Sequence, residues 1–327
     1  MSISNRHLPK TLSIALLLAA IAVFGSQPAA NGRTPKLNNQ QNPDASLLQT
    51  PPGVADKSTK VFGIRIHYLE AGSGPAVILL HGLGGDTSNW AATIAPLSKA
   101  YRVIVPDQIG FGQSDKPLIN YRVGTLVDFL DGFMKELKIS RASLVGNSLG
   151  GWTAAAFALA HPDKVDRLIL VDAAGYSLEK NVDPRSLNLL NPSTREGVKQ
   201  VLSVVFYNKE MFANPALTDQ FFAHKMAAGD GYTIQRFIDS IILGLDTLDN
   251  TASGIKQPTL IVWGRQDALV PLSIGERYHK DISGSQLLVI DKCGHVPQLE
   301  QSAQFNEGLL RFLAGEAVKG ADASARQ

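Results

Sequence analysis

The chain has 327 residues, 44% of them apolar and 18% charged. That composition supports a large folded core and excludes a disordered chain or a dedicated nucleic-acid binder. The formal net charge is +2, and because the first thirty residues hold Arg6 and Lys10 but no acid, the remainder is neutral, 2 − 2 = 0, with no electrostatic pull toward polyanions.

In chain order, Arg6, His7 and Lys10 precede an uncharged apolar run over residues 11–24, followed by Gly25-Ser26-Gln27-Pro28-Ala29-Ala30. Residues 1–30 therefore read as a secretory signal or, left uncleaved, a membrane anchor, and the protein is expected to be exported or held facing outward. Residues 31–57 are rich in Asn, Gln, Pro and Ser and read as a flexible linker. The single cysteine, Cys293, excludes an internal disulfide and leaves no lipid-acceptor cysteine after the apolar run.

The folded part is expected over residues 58–175 and 257–315. Residues 61–69 predict a strand near a sheet edge, with His67 on its surface. Residues 76–80 are an unbroken apolar run suited to a strand buried on both faces, and they end in His81-Gly82-Leu83-Gly84-Gly85. A helix over 87–99, a strand over 102–106 and a turn-rich loop from Asp107 to Pro117 follow, then a helix over 123–137. The strand at 142–145 and the uncharged, Ala-rich helix at 152–160 flank Val145-Gly146-Asn147-Ser148-Leu149-Gly150-Gly151. A further strand, 167–171, ends at Asp172. Residues 176–256 contain no strand run but three helical stretches, 196–206, 217–226 and 233–245, and read as a helical cap inserted into the core. The alternation resumes with strands at 259–263 and 287–290 and helices at 274–280 and 301–313, and residues 316–327 read as a disordered tail. Apolar strands alternating with helices predict an α/β fold with a mostly parallel central sheet covered by helices on both faces.

Strand, glycine-flanked serine and helix together match the nucleophile-elbow pattern G-x-S-x-G, which lifts the Ser148 hydroxyl clear of the strand. A phosphate loop would require Gly-Lys-[Ser/Thr], which is absent here, and the remaining competitor is a bystander serine in a tight turn. A serine nucleophile needs a base, and the base an orienting acid. His295, in the loop after the last strand, is the base candidate. Asp267, just past another strand end, is the preferred acid, with Asp172 the competitor unless it caps a turn. His161, His224 and His279 follow no core strand, and Asp107 reads as structural. The oxyanion donors are expected to be the backbone amides of Leu83 and Leu149, with His81 bracing the first loop. No metal-ligand cluster or dinucleotide fingerprint suggests a cofactor, and no nucleic-acid partner is expected.

These residues, with Trp263-Gly264-Arg265-Gln266-Asp267 and Gly294-His295-Val296-Pro297-Gln298-Leu299-Glu300, make residues 60–314 resemble the α/β-hydrolase family. Within it, Gly146-Asn147-Ser148-Leu149-Gly150-Gly151 and the helical insertion resemble the meta-cleavage-product hydrolases, which cut carbon–carbon bonds in dienoates. That resemblance implies substrate contacts for Asn147 and for Lys225, the nearest counterpart of their carboxylate-binding arginine. It departs at Val296, where those enzymes carry tryptophan, and at Gly82-Leu83-Gly84-Gly85-Asp86. Secreted esterases and lipases with a Gly-Asn-Ser elbow resemble the chain with fewer departures. The expected activity is hydrolysis of small or moderately long apolar esters, with Phe206, Phe212, Phe221 and Phe222 as pocket candidates. Carbon–carbon hydrolysis is the alternative, and a non-catalytic ligand-binding relative is a third reading.

Overall fold

The computed structural model describes residues 53–180, 182–210 and 214–318. The signal or anchor, residues 31–52 of the expected linker, Phe212 and the tail from residue 319 lie outside the described residues.

Among the described residues, eight strands build one sheet: β1 (Val54–Val61), β2 (Ile64–Ala71), β3 (Ala76–Leu80), β4 (Arg102–Pro106), β5 (Ala142–Asn147), β6 (Val165–Val171), β7 (Thr259–Gly264) and β8 (Gln286–Ile290). Their order is β1-β2-β4-β3-β5-β6-β7-β8. The first two strands are antiparallel to their neighbours, and every pairing from β4 to β8 is parallel. The central strands alternate between two cores. Ile78, Leu80, Leu144, Leu170 and Ile261 pack on one face, while Val77, Leu79, Val145, Val171 and Val262 pack on the other. Burial on both faces is why these strands read as unbroken apolar runs.

The helices are α1 (Ala91–Leu97), α2 (Val123–Glu136), α3 (Leu149–Ala160), α4 (Arg195–Val205), α5 (Pro215–Ala228), α6 (Gly231–Ile242), α7 (Leu272–Asp281), α8 (Pro297–Glu300) and α9 (Ser302–Leu313). In α2, Val123, Leu126, Val127, Leu130, Phe133 and Met134 recur at helical spacing and are all buried. Between β6 and β7 the chain is wholly helical or looped among the described residues. There Thr194 caps α4 through the Gly197 amide, Asn214 caps α5 with Pro215 at its first position, and Gly229 ends α5 at φ 62°.

Three expectations need correction. Residues 61–69 are not one strand: Phe62 and Gly63, at φ 52° and 83°, form a two-residue turn, and β1 runs back over residues assigned to the linker. β1 hides in the sequence because, as the sheet's edge, it leaves Ala55 to Ser58 exposed. His67 is not on the strand surface either. It is 3% exposed, its Nδ1 2.7 Å from Asp107 and its Nε2 3.1 Å from Asp56. The expected tail also begins ordered, the Val318 amide donating to Gln286 Oε1 at 2.6 Å.

Candidate active site

Ser148 stands between β5 and α3 at φ 56° and ψ −117°, a strained conformation for a residue with a side chain. The glycines around it are steric necessities. A Cβ on Gly146 would lie 2.2 Å from the Gly150 carbonyl oxygen, and one on Gly150 would lie 2.2 Å from that of Leu80. The Ser148 amide donates to Val171 O at 2.9 Å, tying the elbow to β6.

His295 and Asp267 converge from the loops after β8 and β7. The Nδ1 of His295 lies 2.7 Å from Asp267 Oδ2, and both residues are buried. Asp267 Oδ1 accepts the amides of Leu269 and Val270 at 2.8 and 3.0 Å, so its carboxylate is held from both sides. His295 therefore carries its proton on Nδ1 and leaves Nε2 as the acceptor. That Nε2 is buried with no hydrogen-bond partner, and His295 and Ser148 line the same cavity. The loop that carries His295 is anchored elsewhere too. The His295 amide donates to Val205 O at 2.7 Å, and Glu300 accepts the amides of Gly294 and Tyr207 at 2.7 and 2.8 Å.

The loop after β3 passes directly over the elbow, where a Cβ on Gly82 would lie 3.1 Å from Ser148 Cβ. His81 holds it: Nδ1 donates to Gly82 O at 2.8 Å and Nε2 accepts the Gln108 amide at 3.0 Å. Leu83 and Leu149 both line the cavity beside Ser148. Asp86 closes the loop, accepting from the Ser88 amide and from His224 Nε2 at 2.9 Å. Burial alone would raise the Asp86 carboxyl, but the hydrogen bond and charge of His224 outweigh it and hold it down to about 2. His224 is raised in return, chiefly by its bond to Asp86.

The cavity has a volume of about 640 Å³, within the range of small-molecule sites. Core loops form its floor, and Leu190, Val201, Leu202, Phe206 and Phe221 from the helical segment form walls. Phe206 lines the cavity. Phe222 is not among the lining residues and packs under the Arg195 guanidinium, 4.9 Å from its ring centre. Asn147 reaches the cavity, but its amide N–H groups donate to Val171 O and His295 O at 3.1 and 3.0 Å, so it braces the elbow against the base loop. Lys225 also reaches the cavity and is tied to the buried Asp230 at 2.5 Å. Asp172 was expected as a competing acid or a turn cap. It is fully buried at the end of β6, its Oδ1 accepting the Gly264 amide at 2.9 Å. Among the lining residues His224 escaped selection, because its partner Asp86 lies far away in sequence.

Comparison with known proteins gives this geometry a setting. The chain is 34% identical over 265 residues, 78% of its length and 94% of the relative's, to a 2-hydroxy-6-oxo-2,4-heptadienoate hydrolase of Pseudomonas putida. Among solved structures, a meta-cleavage product hydrolase from Pseudomonas fluorescens superposes with a TM-score of 0.73 at 32% identity, covering 79% of this chain and 97% of that one. A membrane phospholipase A, described as a bacterial virulence factor, superposes with a TM-score of 0.73 at 29% identity, covering 80% and 86%. Residues 75–302 match the family model for the alpha/beta hydrolase fold, and the chain belongs to that family.

Proposed function

We propose that the protein is a serine hydrolase of carboxylic esters with an extended apolar acyl group. The observation that carries this reading is the cavity over Ser148, whose walls are largely aliphatic and whose two cationic lining residues, His224 and Lys225, are already paired with Asp86 and Asp230. An uncharged acyl chain fits such a space without breaking an ion pair. The membrane phospholipase A among the structural relatives supports it.

In this reading His295 Nε2 takes the Ser148 proton as Oγ attacks the ester carbonyl. Asp267 fixes the tautomer and stabilises the imidazolium. The Leu83 and Leu149 amides donate to the oxyanion, each such donor being worth about a hundredfold or more in rate. The proton then passes from His295 to the departing alcohol, and water, activated by the same base, releases the acid. Ser148→Ala is expected to lower nitrophenyl-ester turnover on the order of ten-thousandfold or more. Wild-type turnover in that variant would sink the proposal.

The second reading is carbon–carbon hydrolysis of a dienoate. The named activities of the curated relatives support it more directly than they support ester cleavage. It requires a cation for the substrate carboxylate, and here Lys225 would have to leave Asp230. A panel of short and long nitrophenyl esters beside a 2-hydroxy-6-oxo-dienoate separates the two. Turnover of the dienoate alone favours the second reading, and turnover of long esters alone favours the first.

A further inference from the structure

The Asp172 side chain has no role in the chemistry set out above, yet it points into the centre of that chemistry. It sits at φ 43° at the end of β6, with its amide donating to Val262 O at 2.9 Å and its Oδ1 accepting the Gly264 amide. Its Oδ2 is buried without a donor. One oxygen of Asp172, one of Asp267 and one ring nitrogen of His295 lie within 4.8 Å of one another. Asp267 cannot turn away, because Leu269, Val270 and His295 hold both of its oxygens. Two ionised carboxylates cannot share so small and dry a space, whereas a pair with one proton can, the neutral partner donating to the charged one.

We propose that Asp172 and Asp267 form a carboxyl pair sharing one proton, held on Asp172, so that Asp172 is a positioning residue for Asp267 and a second acid within reach of His295. The proton sits on the Asp172 oxygen that has no amide partner and bridges to the Asp267 carboxylate. The net charge facing His295 is then −1 rather than −2. The surroundings favour this state. Burial raises the Asp172 carboxyl well above the usual range, the neighbouring Asp267 charge adds to it, and the Gly264 amide offsets only part. The other titratable groups that bear on the cluster, Glu300 and the buried Cys293, supply no positive charge. Asp267 accepts two amides and the imidazole N–H, which leaves it no free oxygen, against one amide for Asp172, whose second oxygen is open to the proton. When Asp267 is removed, the charge that disfavours ionisation of Asp172 goes with it. Asp172 then releases its proton to solvent and supplies the negative charge beside His295.

The test rests on Ser148 being the nucleophile, and its readouts are chosen to separate the two ideas. Inactivation by a fluorophosphonate reports activation of Ser148 whatever the natural substrate, and a wild-type protein that is not labelled counts against the serine-hydrolase reading. Thermal melting reports the Asp172 proton without any catalysis. A group protonated in the fold but ionised in the unfolded chain contributes stability at low pH that is lost as pH rises through its folded value. Melting temperatures of wild type relative to Asp172→Asn should therefore fall as pH rises above the ordinary carboxyl range, about 4. A flat difference overturns the proposal. Asn keeps the shape, the acceptor for Gly264 and a donor for Asp267, whereas Ala loses all three, so Asp172→Asn should be labelled at least about tenfold faster than Asp172→Ala. Asp172→Asn labelled no faster than Asp172→Ala would mean that Asp172 works as an ion and would overturn the neutral assignment. Asp267→Ala should be labelled at least about tenfold faster than the double variant Asp267→Ala/Asp172→Asn. Equal rates in those two would remove the role of second acid.

Discussion

Gly146, Ser148 and Gly150 are three residues of one strained turn, and the strain has a direct test. Gly146→Ala drives a methyl into the Gly150 carbonyl at 2.2 Å, backbone against backbone, where no rotamer can relieve it. A loss of about 3 kcal/mol or more is expected, read as a lowered denaturation midpoint with an unchanged slope. Asn147 tests a different kind of necessity. In Asn147→Leu, Val171 O keeps the Ser148 amide, but the His295 carbonyl loses its side-chain donor, costing about 1–3 kcal/mol. Because that carbonyl belongs to the candidate base, turnover should fall more than substrate affinity, which steady-state kinetics would resolve as a lower kcat at similar KM. Ser148, Asp267 and His295 were legible because each follows a strand end in the chain order that this fold requires. Asn147 was legible as important and illegible as a brace, since its partners lie on β6 and in the base loop. The burial of His67 was hidden for the same reason, as Asp107 is forty residues away.

At the scale of elements, α5 meets the loop after β3 through His224 and Asp86. His224 is raised, so the stability it contributes is present below about 6.5 and is lost as pH rises through its folded value. Asp86 is depressed to about 2, so its contribution is present above about 3.9 and is lost only in strong acid. The coupling between the two should therefore be larger near pH 5 than near about pH 9, and a double-mutant cycle with His224→Gln and Asp86→Asn at both pH values measures it. A coupling that grows with pH would refute the assignment. Elements with strong periodicity, such as α2, and the buried runs β3, β4 and β7 were plain in the sequence. β1 was not, because an edge strand with an exposed face carries no apolar alternation, and Phe62 is an unusual residue for a left-handed turn.

Across the whole molecule, the parallel sheet brings three loops to one end, and the helical segment between β6 and β7 completes the cavity. If that cavity holds the acyl chain, Val201→Phe should shift the ester preference toward short acids while leaving short-ester turnover within about twofold, as a chain-length series would show. Invariant cleavage of long esters in that variant would place the acyl group elsewhere. The alternation of strands and helices made the sheet legible, and the strandless stretch made the insertion legible. The substrate was not, because wall residues such as Val201 and Phe221 look like ordinary helix packing until the helices are folded over the sheet. The bond from the His295 amide to Val205 O joins the candidate base's loop to the end of α4. Wall and base are thus mechanically one piece, and helix α4 cannot swing outward as a free door without first breaking that bond. At a pH high enough that exchange outpaces reclosing, the deuterium uptake of the His295 amide measures how often that bond opens and so sets a ceiling on how often α4 can lift. If turnover of a bulky ester outruns that uptake, substrate and product must pass by a route that leaves α4 in place.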